Sequence, residues 1–282
     1  MQNPSYTLFM PPLFGKAPLV ELIVELRWNP FGAALGLPPQ AGLSPSIQAF
    51  GSPSPEGFFR RFADQADRIG FRRSERIVPD GFPMFLHQPV FRYRKTDPEA
   101  AELLQVGQGL FSVNAIPPYN SWDSFEPVVR NGIEALLASR SDEEQMAPFT
   151  MASVRYIDAF GPDLMAGWTT GSFMSEVLGF KVELPSIVSA LIPEGQAANA
   201  FLHLNVPTQG SLMTEINIGE GLSAGSKALI VQTAVCSMIP VLPALDDVMT
   251  VLNGAHGHIR KMFLEMTRKI HDRMGLEGQG EA

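Results

Sequence analysis

Ten residues near the start of the chain, Leu19–Trp28, alternate with a period of two. Val20, Leu22, Val24, Leu26 and Trp28 fall on one side, and Leu19, Glu21, Ile23, Glu25 and Arg27 on the other. A strand with one apolar face and one charged face belongs to an antiparallel sheet covered on one side, because a parallel sheet buried on both faces needs near-continuous apolar strands. The rest of the chain must therefore supply partner strands and a helical cover.

Residues 102–137 supply both. Leu104, Val106, Leu110, Phe111 and Val113 form two short apolar runs around Gly107-Gln108-Gly109, where glycines allow the positive φ of a tight hairpin. Pro117-Pro118 stops the second strand. Asn120 or Ser121 then caps a helix with Trp122, Phe125, Val129, Ile133 and Leu136 on one face. Upstream, Ser54-Pro55-Glu56 opens a helix with Phe58, Phe59, Phe62, Ala66 and Ile69 inward and Gly70 as its stop. Met84 to Lys95 reads as a strand in which Pro89 favours an edge position or a bulge.

The second half repeats this order: a strand at 149–160, short helical pieces within 163–191, strands near 199–206, 211–218 and 227–238, and a helix from Leu245 to about Arg273. The expected class is α+β, with antiparallel sheets from two duplicated β-α-β-β-β-α halves and a long C-terminal helix. An N-terminal arm at 1–18 precedes a first half at 19–145, which contains a Pro/Gly-rich loop at 29–55, and a second half at 146–282. Leu245, Met249, Leu252, His256, Ile259, Phe263, Met266 and Ile270 recur at alternating spacings of four and three. Such a seam can pack on a sheet or on a second copy of itself, so Met249, Leu252, Ile259, Phe263, Met266 and Ile270 are candidates for an oligomer seam, a homodimer through the C-terminal helix.

The net charge of −8 conceals an asymmetry. Residues 1–95 carry 11 Lys and Arg against 7 Asp and Glu, residues 96–226 carry 4 against 16, and the remainder balances at 6 against 6. The acidic middle opposes binding of a polyanion, and the arginines between 60 and 95 lack the interleaved aromatics of a single-strand binder, so nucleic acid is not an expected partner. No apolar run reaches the ~18 residues of a membrane span, and no secretory leader is recognisable, which together point to the cytoplasm and to no membrane partner. The single cysteine, Cys236, excludes a disulfide framework and a thiolate metal site.

Candidate chemistry is sparse. Gly221-Leu222-Ser223-Ala224-Gly225 matches G-x-S-x-G, but Ser223 lies between two strand-like runs where a nucleophile elbow needs a helix, so it reads as a hairpin loop. His256 and His258 point ~200° apart on a helix and cannot share a metal ion; His256 belongs to the apolar seam. Glu21 and Glu25 stand ~13 Å apart along a strand, beyond the ~5–9.5 Å of a glycosidase pair. No P-loop is present, and Gly107-x-Gly109 lacks the third glycine and helix of a dinucleotide site. No catalytic residue, cofactor or metal is assigned. A polar ligand or interaction face can be drawn from Glu21, Glu25, Arg27, Arg92, Arg94 and Arg155.

Four blocks taken together resemble a sporadically distributed family of uncharacterised prokaryotic proteins: residues 18–28 (PLVELIVELRW), Leu104-Gln105-Val106-Gly107 through Tyr119-Asn120-Ser121-Trp122 with Phe125, Val154-Arg155-Tyr156-Ile157-Asp158, and His256 with Ile259 and Phe263. Trp28 stands where that pattern expects phenylalanine, and Asp158 where it expects asparagine. The patchy occurrence of such a family resembles that of phage-defence or toxin–antitoxin components. The leading expectation is a non-enzymatic protein-interaction component, binding another protein or itself, in such a cassette. The alternative is a small-molecule sensor or enzyme with a polar pocket between the duplicated halves.

Overall fold

The computed structural model of the chain describes residues 14–30, 56–119, 121–141, 145–196 and 198–275. Most of the expected 1–18 arm and of the 29–55 loop lies outside the described residues. Among the described residues nine strands build a single sheet: β1 (Leu19–Trp28), β2 (Arg73–Arg76), β3 (Pro89–Arg94), β4 (Glu102–Gly107), β5 (Leu110–Ala115), β6 (Phe149–Phe160), β7 (Leu202–Thr208), β8 (Leu212–Ser223) and β9 (Ser226–Ser237). Their order is β2-β3-β4-β5-β1-β6-β9-β8-β7, and every pairing is antiparallel.

The expected α+β class with antiparallel strands and a long C-terminal helix is therefore what the chain forms, although the halves share one sheet. They meet where β1 pairs with β6, in a register that sets Leu22 beside Tyr156, Val24 beside Val154 and Leu26 beside Ala152. Moving outward from that pair, β1 is followed by β5, β4, β3 and β2, and β6 by β9, β8 and β7, so β2 has no counterpart on the second side.

Three helices cover the apolar face: α1 (Glu56–Arg68), α2 (Trp122–Ser139) and α3 (Leu245–Thr267). Ser121 is the N-cap of α2, its hydroxyl accepting from the Ser124 backbone N–H while the Ser124 hydroxyl accepts from the Ser121 N–H. The inward residues of α1, Phe58, Phe59, Phe62 and Ala66, are buried, and Gly70 ends the turn at φ +93°. Trp28 meets Phe58 and Phe149 edge-on, while Phe62 packs on Tyr93 and Phe111. This main cluster runs through both halves. A satellite cluster gathers Phe160, Leu229 and Val231 beneath a π-helical turn, Phe173–Val177.

The α3 seam is spent inside the chain. Met249, Leu252 and Ile259 are buried in the main cluster, Ile270 is buried in the satellite cluster, and Phe263 and Met266 pack against the latter. The expected oligomer seam is thus corrected: its stripe faces the sheet that the same chain provides. The sequence reading places an edge or bulge at Pro89, where β3 does shift register against β4, but runs the strand too long, since residues 84–88 lie outside it. It omits β2, the four polar residues Arg73–Arg76 that take the edge position.

Two glycines separate close packing from open space. A Cβ at Gly107 would overlap the Gln88 carbonyl, whereas at Gly254, exposed on α3, it would meet nothing within 4 Å. Gly107→Ala should therefore lower the free energy of unfolding by about 1–3 kcal/mol or more. Gly254→Ala should raise it by roughly 0.5–1 kcal/mol through helix propensity, both read from urea titrations.

Candidate functional site

The six charged residues proposed as a face do share one. The registers align Glu25 with Ser112, Gln105 and Arg92 across four strands, and Arg155 with Ile23, Asn114, Leu103 and Arg94 across five. Glu21 and Arg27 flank these rows on β1, on the side opposite the helices. Yet the residues do not converge. Two strands separate β3 from β1, so Arg92 and Arg94 stand ~14 Å from the β1 carboxylates at ~4.8 Å per strand.

Hydrogen bonds tie this open face into two short chains. The Ser112 hydroxyl donates to Asn114 Oδ1 at 2.9 Å, with Gln105 Oε1 at 3.4 Å as the alternative acceptor, and Asn114 donates to Glu21 at 2.7 Å. On the other side of β6, Asn217 donates to Glu215 at 2.8 Å and meets His203 Nδ1 at 2.6 Å. Glu25 holds Arg27 at 2.6 Å, and Glu75 pairs with Arg92 at 3.4 Å. Among the described residues none pairs with the half-buried guanidinium of Arg155. Cys236 lies in the row of Glu25 and Ser153. Burial first, and then Glu215, pushes its thiol up against the opposing pull of Arg155 and Arg27, so it is not an activated thiolate. Beside β7, Phe201, Asn217, Gly219, Glu220, Ile230 and Gln232 line a shallow depression.

On the helix side, α2 and α3 meet through a polar and aromatic junction. Trp122 stacks on His256 at 4.5 Å between ring centres and 6° between planes, and its indole N–H donates to Asn253 at 2.8 Å. His256 Nδ1 lies 2.8 Å from the Tyr156 hydroxyl. The seam histidine is thus a satisfied core residue. Burial, with Arg260 adding to it, pushes His256 down to about 4. Asp158, on β6 beyond Tyr156, is 5% exposed, and burial pushes its carboxyl group up to about 7.

A different surface lies between the satellite cluster and β7. Residues 181–191 are exposed without a break, and they include Val182, Leu184, Ile187, Val188 and Leu191. Ile187, within the four-residue helix Ser186–Ser189, and Leu191, just after it, expose 71% and 77% of their surface. Five large apolar side chains standing in water on one short arm are the kind of patch that marks a binding surface. Sequence reasoning placed Ile187 and Leu191 in helical pieces but had no signal for their exposure.

The remaining sequence motifs are architectural. Ser223 ends β8, and Ala224 and Gly225 form the two-residue turn into β9 with φ +48° and +78°, so the G-x-S-x-G match is a hairpin. Among the described residues no group of His, Cys, Asp and Glu is arranged to hold a metal ion, and no helix is long and apolar enough to cross a membrane.

No family model matches the chain, nor does any curated protein. Among solved structures, the di-domain ARO/CYC BexL from the BE-7585A biosynthetic pathway aligns over 78% of this chain and 95% of its own at 10% identity and a TM-score of 0.19.

The two shifted buried groups make a pH prediction with opposing signs. Asp158 binds its proton more tightly folded than unfolded, so its contribution to stability is lost as pH rises from about 4 to about 7. His256 binds its proton less tightly when folded, so its contribution is lost as pH falls from 6.5 toward 4. Asp158→Asn should leave a stability that climbs with pH across that window, and His256→Phe one that declines with pH. Parallel urea titrations of both variants that gave the same slope would refute the assignment.

Proposed function

We propose that the protein is a non-enzymatic interaction component whose binding element is the arm at 181–191. The observation that carries this reading is the unbroken exposure of Val182, Leu184, Ile187, Val188 and Leu191 beside a filled apolar core. Supporting it, Cys236 is held as a thiol and the G-x-S-x-G serine sits in a hairpin, so neither familiar nucleophile is armed. Membership of a phage-defence or toxin–antitoxin-like cassette rests on the family resemblance alone, and a cytoplasmic setting goes with it.

A second reading, a small-molecule sensor or enzyme, has Arg155 as its observation: a half-buried cation without an ion pair among the described residues, on a face lined by Glu21, Asn114 and Glu215. The spread of that face over ~14 Å and the lack of convergence favour the first reading.

The test is affinity purification at native expression. Wild-type protein should retain a bound protein, another chain or a second copy of its own, and the double variant Ile187→Asp/Leu191→Asp should lose it while its thermal midpoint stays within about 2 °C, as surface substitutions do. Retention of the same species by the double variant would remove the arm from the interaction.

A further inference from the structure

The two edges of the sheet are built differently. β2 is four residues long, Arg73-Ser74-Glu75-Arg76, and its short, charged character blunts the edge against further strand pairing. β7 is seven residues long, Leu202–Thr208, and contains no Asp, Glu, Lys or Arg; its one break is Pro207, near its C-terminal end and outside the run Leu202–Val206. Leu202, Leu204 and Val206 alternate along it, beside Ile218, Ile216 and Thr214 of β8. In the first half, α1 roofs the outer strands, with Phe59 on Phe91 and Phe62 on Tyr93. In the second half, the described residues between the π-helical turn and β7 form only the helix Ser186–Ser189, and Val182, Leu184, Ile187, Val188 and Leu191 stay exposed. Among the described residues, the chain thus carries an uncharged strand edge interrupted only at Pro207 and, ten residues before it, an exposed apolar arm.

We propose that the protein is a two-fold dimer in which β7 pairs antiparallel with β7 of a second copy and the two 181–191 arms cover the junction. This rests on reading the arm as a binding element and names its occupant. Self-pairing about Leu204 sets Leu204 against its own counterpart, Leu202 against Val206, and His203 against Asn205. Apolar then meets apolar, polar meets polar, and no like charges face each other. An antiparallel pairing of a strand with itself closes as a dimer and leaves no β7 edge for a third copy.

The available area agrees. Val182, Leu184, Ile187, Val188, Leu191 and Phe201 expose between 37% and 77% of their surface. At roughly 60–120 Å² per aliphatic side chain and up to ~250 Å² for the phenyl group, they leave on the order of 400 Å² of apolar surface per copy. That approaches the apolar share, ~450 Å², of the ~800 Å² that each partner brings to a standard-sized interface.

Sedimentation velocity on the purified full chain is the direct test. Wild-type protein at micromolar concentration should sediment at twice 30.8 kDa. Leu204→Lys, which places two ammonium groups face to face, and Ile187→Asp/Leu191→Asp should both sediment as monomers. Phe82→Asp, which removes an apolar side chain exposed at 64% away from the β7 edge, should remain a dimer. If Leu204→Lys fails to fold, Leu204→Cys in a Cys236→Ser background keeps the question open to experiment. Mild oxidation should cross-link it to a covalent dimer, whereas Phe82→Cys in the same background should stay uncross-linked. A wild-type monomer, or a folded Leu204→Lys dimer, would overturn the pairing. A wild-type monomer that still holds another protein, released by the arm substitutions, would overturn only the self-pairing and leave the interaction reading standing.

Discussion

The pairing of β1 with β6 is the constraint on which the rest of the molecule depends. It runs nearly the full length of both strands, and it places Leu22, Val24 and Leu26 on the same face as Tyr156, Val154 and Ala152. A slip of one residue would turn Glu21, Glu25 and Arg27 into the main cluster and expel Trp28. The cost of burying three charges fixes the register, and with it the position of every strand counted outward on both sides.

Much of this was legible in the letters. Leu19–Trp28 shows its faces because charge and hydrocarbon alternate, Gly107-Gln108-Gly109 shows its turn because the flanking runs are apolar, and α2 shows its cap and stripe. Each of these is a local pattern. β2 was not legible, since Arg-Ser-Glu-Arg has no apolar face and is a strand only because β3 lies beside it. The α3 seam was visible as a stripe but not in its destination: Met249, Leu252 and Ile259 have the same spacing whether they meet a sheet or a second helix.

The candidate sites were less legible than the fold. That Glu21, Glu25 and Arg27 share a face follows from period two. That Ser112, Asn114 and Glu215 lie among them depends on which strands are neighbours, which no local pattern states. The Trp122–His256 stack joins residues 134 positions apart, and the arm at 181–191 reads as ordinary core material until its surroundings are known. Exposure is a property of what is missing around a side chain, and the side chain's own identity does not record it.

The chain has three tryptophans, and the fold gives each a different neighbourhood. Trp28 lies in the main cluster with the Arg140 guanidinium 5.4 Å from its ring centre, Trp122 is stacked on an uncharged imidazole between two helices, and Trp168 borders the satellite cluster under Arg273 at 4.4 Å. Cooperative units of different stability open separately. The emission of this protein is therefore a three-channel optical record, in which single-tryptophan versions would time the loosening of the central sheet, the helix junction and the satellite cluster independently of one another.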